Sequence, residues 1–579
     1  MKWRYIVTFV FFIFAFFCVI GKLCYWQIAK ADELSSLGAS QYAKTLEILP
    51  ARGDIRTSDD FPLATEKVAY LLYANPKEIK DPQELANKLS PFLQIDAATL
   101  SAKFVQDKFW VSLKTNLSEK EKQTLVKAKL IDNSCADIPV KLGGTGLGCE
   151  DQTVRFYPEA STAAQLLGFV GKDAFGNDKG YAGLEGYYER QLRGRPGKAT
   201  VIQDAHGNPI IARMNDLSTG AEDGRTLVLH VDRNIQYLAD QKLAEGIQKY
   251  GAESGMAAIM DPKTGGIIAM SSFPSFDPRS YQDYNESLYI NPFITSTYEP
   301  GSTFKPLVMA AALNEKLVKP DTPCPICDKP VSVGGYDIHT WNDKYTANIN
   351  MNNIIVESDN TGMVYVAQLL GLDRMLSYLN KWGIGETTNI DLQGEFAPEV
   401  KPKDQWYPTT LATAGFGQGI TVTPIELLDA FASIANDGKR MEPHVVSQIV
   451  KSDGEVVTLP PKELDQPFTP ETAKVMTEIL INTVHDGEAK YLRLPGYRIA
   501  GKTGTASIAK DGHYDPNKTI ASFIGFAPAD NPRFVMLVIL NKPSSSIYGS
   551  ETAAPIWFSL AKDMLSYYEI APTGNTNEK

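Results

Sequence analysis

Residues 5–20 form a run of sixteen in which Thr8 is the only small polar side chain. After Gly21-Lys22, residues 23–28 add one more mostly apolar turn, and Lys22 can snorkel to an interface. With helical rise this stretch is long enough to span a bilayer. Lys2 and Arg4 precede it, which predicts a cytoplasmic tip and export of everything after about residue 30. Tyr25 and Trp26 would then sit at the outer interface. A cleaved signal peptide is the competing reading, because Ala29-Lys30-Ala31 fits a small-residue cleavage pattern. The sixteen-residue core exceeds the usual length of about 7–15, and an uncleaved anchor is preferred.

Beyond the anchor, residues 31–220 mix short strand-like runs with polar helical stretches at 81–89 and 117–129. From Thr226 the texture changes to longer apolar runs. Residues 256–260 and 267–270 flank Asp261-Pro262-Lys263-Thr264-Gly265-Gly266, which predicts a β-hairpin. Residues 522–526 and 534–540 flank a Pro/Asp/Asn turn and predict a second strand pair. Helical patterns at 306–313, 362–370 and 424–434 lie between the two pairs. Strands at both ends with helices between them predict an α+β domain of about 340 residues. The expected division is therefore 1–30 tip and anchor, 31–220 a mixed domain, 225–567 the α+β domain and 568–579 a disordered tail.

Composition narrows the function. In 579 residues, 57 Lys and Arg stand against 68 Asp and Glu, a net charge of −11, so no broad cationic surface awaits nucleic acid. Six cysteines are too few for a disulfide-built scaffold. Cys135 and Cys149 lie in a glycine-rich stretch and could pair in an oxidising compartment, whereas Cys18 and Cys24 fall in the membrane run. Cys324-Pro325-Ile326-Cys327 supplies at most two metal ligands, with His339 the nearest third. A structural disulfide or thiol pair is favoured there, with zinc as the alternative. Trp341-Asn342-Asp343 follows, as groove lining or as core.

Three short motifs carry the chemistry. Ser302-Thr303-Phe304-Lys305 opens an apolar run, and residues three apart share a helical face, so a hydroxyl and an amine can meet. A lysine against apolar surface loses charge and can act as a base. Ser358-Asp359-Asn360 follows 56 residues later, with a hydroxyl to relay a proton and a carboxamide to hold an amide. Lys502-Thr503-Gly504-Thr505 places a cation and two hydroxyls where they could bind a carboxylate. Each alone is as easily a helix cap or a solvated loop; together, in this order, they are far more specific. Residues 496–503 also satisfy the P-loop pattern GxxxxGK[ST]. That reading is rejected, because Arg498-Ile499-Ala500 reads as strand where a loop is needed and Ile508-Ala509-Lys510-Asp511-Gly512 reads as a turn where a helix is needed.

The three motifs match the SxxK, SxN and KTG signature of penicilloyl serine transferases. The whole chain resembles a class B penicillin-binding protein. Pro50-Ala51-Arg52-Gly53-Asp54-Ile55 with Leu63-Ala64 is similar to the family's entry into its pedestal, although Thr57 and Asp60 stand where the family usually has Asp and Gly. Arg155-Phe156-Tyr157-Pro158, Leu167-Gly168-Phe169-Val170-Gly171, Gly183-Leu184-Glu185 and Leu192-Arg193-Gly194 look like later pedestal motifs. Gly415-Phe416-Gly417-Gln418-Gly419 with Thr423-Pro424, and Ala553-Ala554-Pro555, resemble blocks of the transpeptidase domain.

The resemblance implies a single N-terminal transmembrane helix, an elongated mixed pedestal and a transpeptidase domain whose antiparallel sheet is flanked by helices. It implies Ser302 as nucleophile on a D-Ala-D-Ala stem peptide, Lys305 as its base, and Ser358 with Lys502 as the route of the proton to the leaving amine. Asn360 would hold the substrate amide, and the backbone N–H groups of Ser302 and Thr505 would form the oxyanion hole. Thr503, Gly504 and Thr505 would receive the terminal carboxylate, and β-lactams would acylate Ser302. No cofactor and no nucleotide are expected. Expected partners are nascent peptidoglycan strands, a membrane glycan polymerase and other division or elongation proteins. The length and the lack of terminal repeats favour division over elongation. Two rivals share the motifs: a serine β-lactamase, which would lack an anchor and a pedestal of roughly 200 residues, and a β-lactam sensor, which would need a cytoplasmic output domain.

Overall fold

The first apolar run folds as a helix, Lys2–Cys24, extended by a π-helical turn, Tyr25–Ala29. None of it is buried, and over 28 residues it is long and apolar enough to cross a membrane. The computed structural model describes residues 2–132, 135, 145–202, 219–510 and 513–572. Residues 1–52 with 193–224 form one unit, and residues 53–192 with 225–579 form another. In the first unit the anchor leads into the helix Ala31–Tyr42 and the strand Ala43–Ile48, which pairs antiparallel with Gly197–Ile202.

The second unit begins with the strands Ile55–Arg56 and Pro62–Ala74, joined by a turn at Asp60. Asp60 is left-handed (φ 65°), which is why glycine would be the easy choice there. Aspartate tolerates this region better than most residues, and its carboxylate pairs with Arg56 at 3.0 Å. The long strand Pro62–Ala74 pairs with Val111–Leu117 and with Leu147–Phe156. Its apolar face (Tyr70, Leu72, Ala74) is covered by the helices Pro82–Leu93, Ala97–Phe104 and Glu119–Lys127. Ser118 and Glu121 close a reciprocal capping box on the last of these. Cys135 and Cys149 are joined by a disulfide in this region.

This sheet does not end with the N-terminal half. Ile55 pairs parallel with Leu227, and Thr226–Leu229 pairs with Val446–Val450, which pairs with Val456–Thr458. Strands separated by some hundreds of positions thus complete one sheet.

The site is carried by a second sheet. Its strands are β1 (Ser254–Met260), β2 (Ile267–Phe273), β3 (Ala500–Lys510), β4 (His513–Ala527) and β5 (Phe534–Asn541), in the order β2-β1-β5-β4-β3, all antiparallel. Alternation divides the side chains. Ala257, Ile259, Phe523, Met536 and Val538 pack with the helices α1 (Arg233–Tyr250) and α7 (Ala553–Tyr567). Ala258, Met260, Ile524, Val535 and Leu537 face the opposite core. That core holds α2 (Lys305–Asn314), α3 (Met351–Val356), α4 (Asn360–Lys381), α5 (Pro424–Ala435) and α6 (Pro470–Asp486).

Three sequence expectations change. The strand that contains Lys502 runs on to Lys510 instead of turning at 508, and a strand after the GKT triplet excludes a P-loop more firmly than a turn would. Tyr568–Ile570 is not a free tail: the Ile570 carbonyl accepts a hydrogen bond from Tyr497 at 2.9 Å. The tail from 573 onward lies outside the described residues. The third change is at Ser302, taken up next.

Candidate active site

Ser302 does not start a regular α-helix. It sits in a 3₁₀ turn, Gly301–Thr303, and the α-helix begins at Lys305. The turn is fixed from three sides. The Gly301 N–H donates to the Gly417 carbonyl at 3.0 Å, and the Phe304 N–H donates to the Gly301 carbonyl at 2.9 Å. The Thr303 hydroxyl donates to the Pro300 carbonyl at 2.7 Å. Gly417 has φ 78°, and a Cβ on it would lie 2.2 Å from the Gly301 oxygen, so only glycine permits the approach. The glycine-rich block 415–419 therefore holds the turn that carries Ser302.

Lys305 is fully buried at the start of α2. Its ammonium donates to the Ser358 carbonyl (2.6 Å), the Ser358 hydroxyl (3.2 Å) and the Asn360 carboxamide oxygen (2.8 Å). The Ser358 hydroxyl donates in turn to the Ser302 hydroxyl at 3.0 Å. The expected direct meeting of lysine and nucleophile is thus replaced by a path through Ser358. Ser358 occupies the loop between α3 and α4 in the left-handed region, with φ 57°. That conformation costs a serine about 1 kcal/mol or more and is held by its surroundings. Asp359 caps α4, accepting from the Gly362 N–H at 2.8 Å and the Thr361 hydroxyl at 2.6 Å. The Asn360 amide donates to the His339 carbonyl at 3.0 Å, which orients the carboxamide oxygen towards Lys305.

The third motif lies on β3, the edge strand of the sheet. The Thr505 carbonyl faces the Ser302 turn, 3.5 Å from where a Cβ on Gly301 would stand. A strand residue's N–H and C=O point to the same side, so the Thr505 N–H faces that turn too. Gly504 is required by crowding: a Cβ there would be 2.3 Å from the Ser522 hydroxyl and 2.7 Å from Thr303. The Thr505 hydroxyl oxygen accepts from the Gly549 N–H at 3.1 Å and keeps its own hydrogen to donate. Lys502, 1% exposed, donates to the Thr503 hydroxyl at 3.1 Å. Thr503 passes its hydrogen to Glu488 at 2.8 Å.

Burial holds the Lys305 amine well below its ordinary range, and the charge of Lys502 pushes the same way, against Asp359 and Glu488. Burial also lowers Lys502, opposed by Glu488. Two buried amines near one another cannot easily both be charged. The arrangement supplies a buried amine whose charged form is disfavoured, linked through one hydroxyl to another, beside a strand edge that carries a second lysine and hydroxyl donors. Such a set suits acyl transfer to a serine from a substrate bearing a carboxylate.

Known proteins share this organisation. The penicillin-binding protein transpeptidase domain matches residues 255–563, and the penicillin-binding protein dimerisation domain matches residues 47–229. Stage V sporulation protein D of Bacillus subtilis is 32% identical over 583 residues, covering 100% of this chain and 87% of that protein. The chain belongs to the class B penicillin-binding proteins. Peptidoglycan D,D-transpeptidase FtsI of Escherichia coli is 27% identical, covering 100% of this chain and 95% of that protein. Among solved structures, a peptidoglycan synthetase from Bifidobacterium adolescentis superimposes with TM-score 0.71 at 25% identity, covering 92% and 98%. Penicillin binding protein 3 of Mycobacterium tuberculosis, complexed with aztreonam, gives 0.69 at 25% identity, covering 92% and 99%.

Within this class B protein, the pedestal-type motif residues hold packing together. Arg155 and Glu185 form a buried ion pair at 2.6 Å, and Arg155 also donates to the Gly53 carbonyl at 2.8 Å. Cys324 and Cys327 are disulfide-bonded and fully buried, so both sulfurs of the candidate metal pair are engaged. Trp341 is half-exposed, packs edge-to-face with Tyr548 at 5.9 Å and donates to the Glu357 carbonyl at 3.1 Å, next to Ser358. The core reading of Trp341 fails on that exposure. Glu488 belongs to none of the motifs and went unnoticed in the sequence.

Proposed function

We propose that this chain is a serine D,D-transpeptidase that crosslinks peptidoglycan stem peptides through an acyl-enzyme on Ser302 and is acylated by β-lactams at the same atom. The observation that carries the reading is the hydrogen-bonded path from Lys305 through Ser358 to Ser302. With Lys305 neutral, rotation of the two hydroxyls lets Ser302 donate to Ser358 and Ser358 donate to the amine. Ser302 then attacks the penultimate D-Ala carbonyl, and the developing oxyanion is received by the N–H groups of Ser302 and Thr505. The proton returns through Ser358 to the leaving amine, with Lys502 assisting, and D-Ala departs. A second stem's amine then attacks the ester, regenerating Ser302. Asn360 holds the substrate amide, and Lys502 and the Thr505 hydroxyl bind the terminal carboxylate. No cofactor enters these steps.

The test is labelling with a fluorescent penicillin together with D-Ala release from a synthetic pentapeptide. Both should occur in the wild type and vanish in Ser302→Ala. Labelling that survives the substitution would remove the assignment. Rapid loss of the label would favour the hydrolase alternative, and labelling without D-Ala release the sensor.

The anchor reading, with the N-terminus in the cytoplasm and the bulk of the chain outside, is supported by Lys2 and Arg4 ahead of the apolar helix. Protease protection of the N-terminus in sealed inverted and right-side-out vesicles tests it. We propose a septal setting for the enzyme, beside a membrane glycan polymerase. The sporulation name of the 32% identical relative favours a second setting, wall synthesis during spore formation. Mid-cell localisation in vegetative cells separates the two, and replacing residues 1–30 with an unrelated anchor tests the partner.

A further inference from the structure

We propose that Glu488 is a positioning residue of the site: its carboxylate orients the Thr503 hydroxyl and serves as the counter-charge of Lys502. The inference deepens the transpeptidase reading and rests on it. Glu488 comes from the loop just after α6, fourteen positions before Lys502 in the chain, and is partly buried. The contacts run in one direction, Lys502 to Thr503 at 3.1 Å and Thr503 to Glu488 at 2.8 Å. Thr503 has one hydrogen, and Glu488 takes it. The hydroxyl therefore presents only lone pairs to Lys502, which fixes the ammonium without a direct ion pair.

Two consequences follow. Carboxylate capture falls to Lys502 and Thr505, since Thr505 still has its hydrogen to give while Thr503 does not. The charges also become ordered. The groups whose charges act on the lysine pair are Glu488 from the loop after α6, Asp359 from the cap of α4, and the lysines themselves on α2 and β3. Asp359 already accepts from Thr361 and Gly362 within its own helix. Glu488 is left as the carboxylate tied by hydrogen bonds to Lys502. Burial is the first cause that lowers Lys305, and a charged Lys502 beside it pushes the same way.

The experiment compares the pH dependence of the second-order rate of acylation by benzylpenicillin in the wild type, Glu488→Gln and Glu488→Asp. Glutamine keeps an acceptor for Thr503 but removes the charge. Without that charge both amines lose protons more readily. Both limbs of the bell-shaped profile should then move to lower pH, the alkaline limb by about half a unit or more. Glu488→Asp should restore the limbs even if its maximum rate is reduced. Superimposable profiles would overturn the proposal. So would a drop in rate at every pH with unmoved limbs, since that is the signature of a merely structural contact. If the wild type itself is not acylated, the transpeptidase reading fails first; acylated wild type with unmoved limbs in Glu488→Gln sinks this inference alone.

Discussion

Removing one hydroxyl, at Ser358, should separate catalysis from stability. In Ser358→Ala the Lys305 ammonium loses its 3.2 Å contact but keeps the Ser358 carbonyl at 2.6 Å and the Asn360 oxygen at 2.8 Å. The buried amine therefore keeps two partners, and the fold loses about 1–2 kcal/mol for the two hydrogen bonds of that hydroxyl, to Lys305 and to Ser302. Ser302, however, loses the partner that links it to Lys305. A positioned proton relay contributes about 10²–10⁴-fold, so the acylation rate should fall by that factor, or about 3–5 kcal/mol of barrier. Ser358→Gly offers an internal control. It loses the same hydroxyl but relaxes the left-handed backbone at φ 57°, which offsets about 1 kcal/mol of strain. Stopped-flow acylation with a fluorescent penicillin and thermal unfolding by circular dichroism read the two effects separately. The glycine variant should unfold no earlier than the alanine variant and acylate equally slowly. If either variant acylates within about threefold of wild type, Ser358 is not the relay and Lys305 must reach Ser302 another way.

Further outcomes follow from individual contacts. Gly417→Ala would place a methyl 2.2 Å from the Gly301 carbonyl. It should displace the Ser302 turn, slowing acylation at least about tenfold and costing about 2 kcal/mol or more; unchanged acylation would show that the turn is held elsewhere. Thr505→Val removes a hydroxyl whose oxygen accepts from Gly549 and whose hydrogen is left to donate to the proposed substrate carboxylate. Acylation by benzylpenicillin should drop about tenfold while that by its methyl ester changes little, and equal losses on both would contradict the assignment. His230, stacked edge-on to His444 at 4.8 Å, is pushed from 6.5 to about 4, first by burial, then by His444, against Asp261. The unfolded chain takes up a proton below pH 6.5 that the folded chain refuses until about pH 4, so stability falls as pH drops through that window. The loss should be about 1–2 kcal/mol at pH 5, read from unfolding in denaturant at pH 7 and pH 5. His230→Gln should flatten that difference, and an equal loss in the variant would refute the cause.

Much of the site could be read from letters alone, because its reactive groups sit in short local patterns whose physics is local. A hydroxyl three positions before a lysine, a serine two before an asparagine and a lysine ahead of Thr-Gly-Thr each survive without knowledge of the fold. What those letters do not carry is the path between them. Ser302 lies in a 3₁₀ turn set by Gly417, more than a hundred positions away, so the lysine and serine were expected on one α-helical face and instead meet through Ser358. Glu488 was missed for a similar reason: its carboxylate reaches Thr503 only because α6 packs beside β3. The strand pairs around 254–273 and 513–541 were visible because long apolar runs flank turn residues. The strands Ile55–Arg56, Val446–Val450 and Val456–Thr458 are two to five residues long, too short to show a period, and they join one sheet across about 400 positions. Asp60 is the opposite case, since its departure from glycine marked a backbone position that the structure shows to be left-handed.

Peptide mapping of the penicillin adduct bears most directly on the central claim. After brief exposure to benzylpenicillin, digestion and mass spectrometry should find a single penicilloyl group on the peptide containing Ser302, with none in Ser302→Ala and little in Ser358→Ala at the same time point. An adduct on another residue, or no adduct on correctly folded protein, would contradict it.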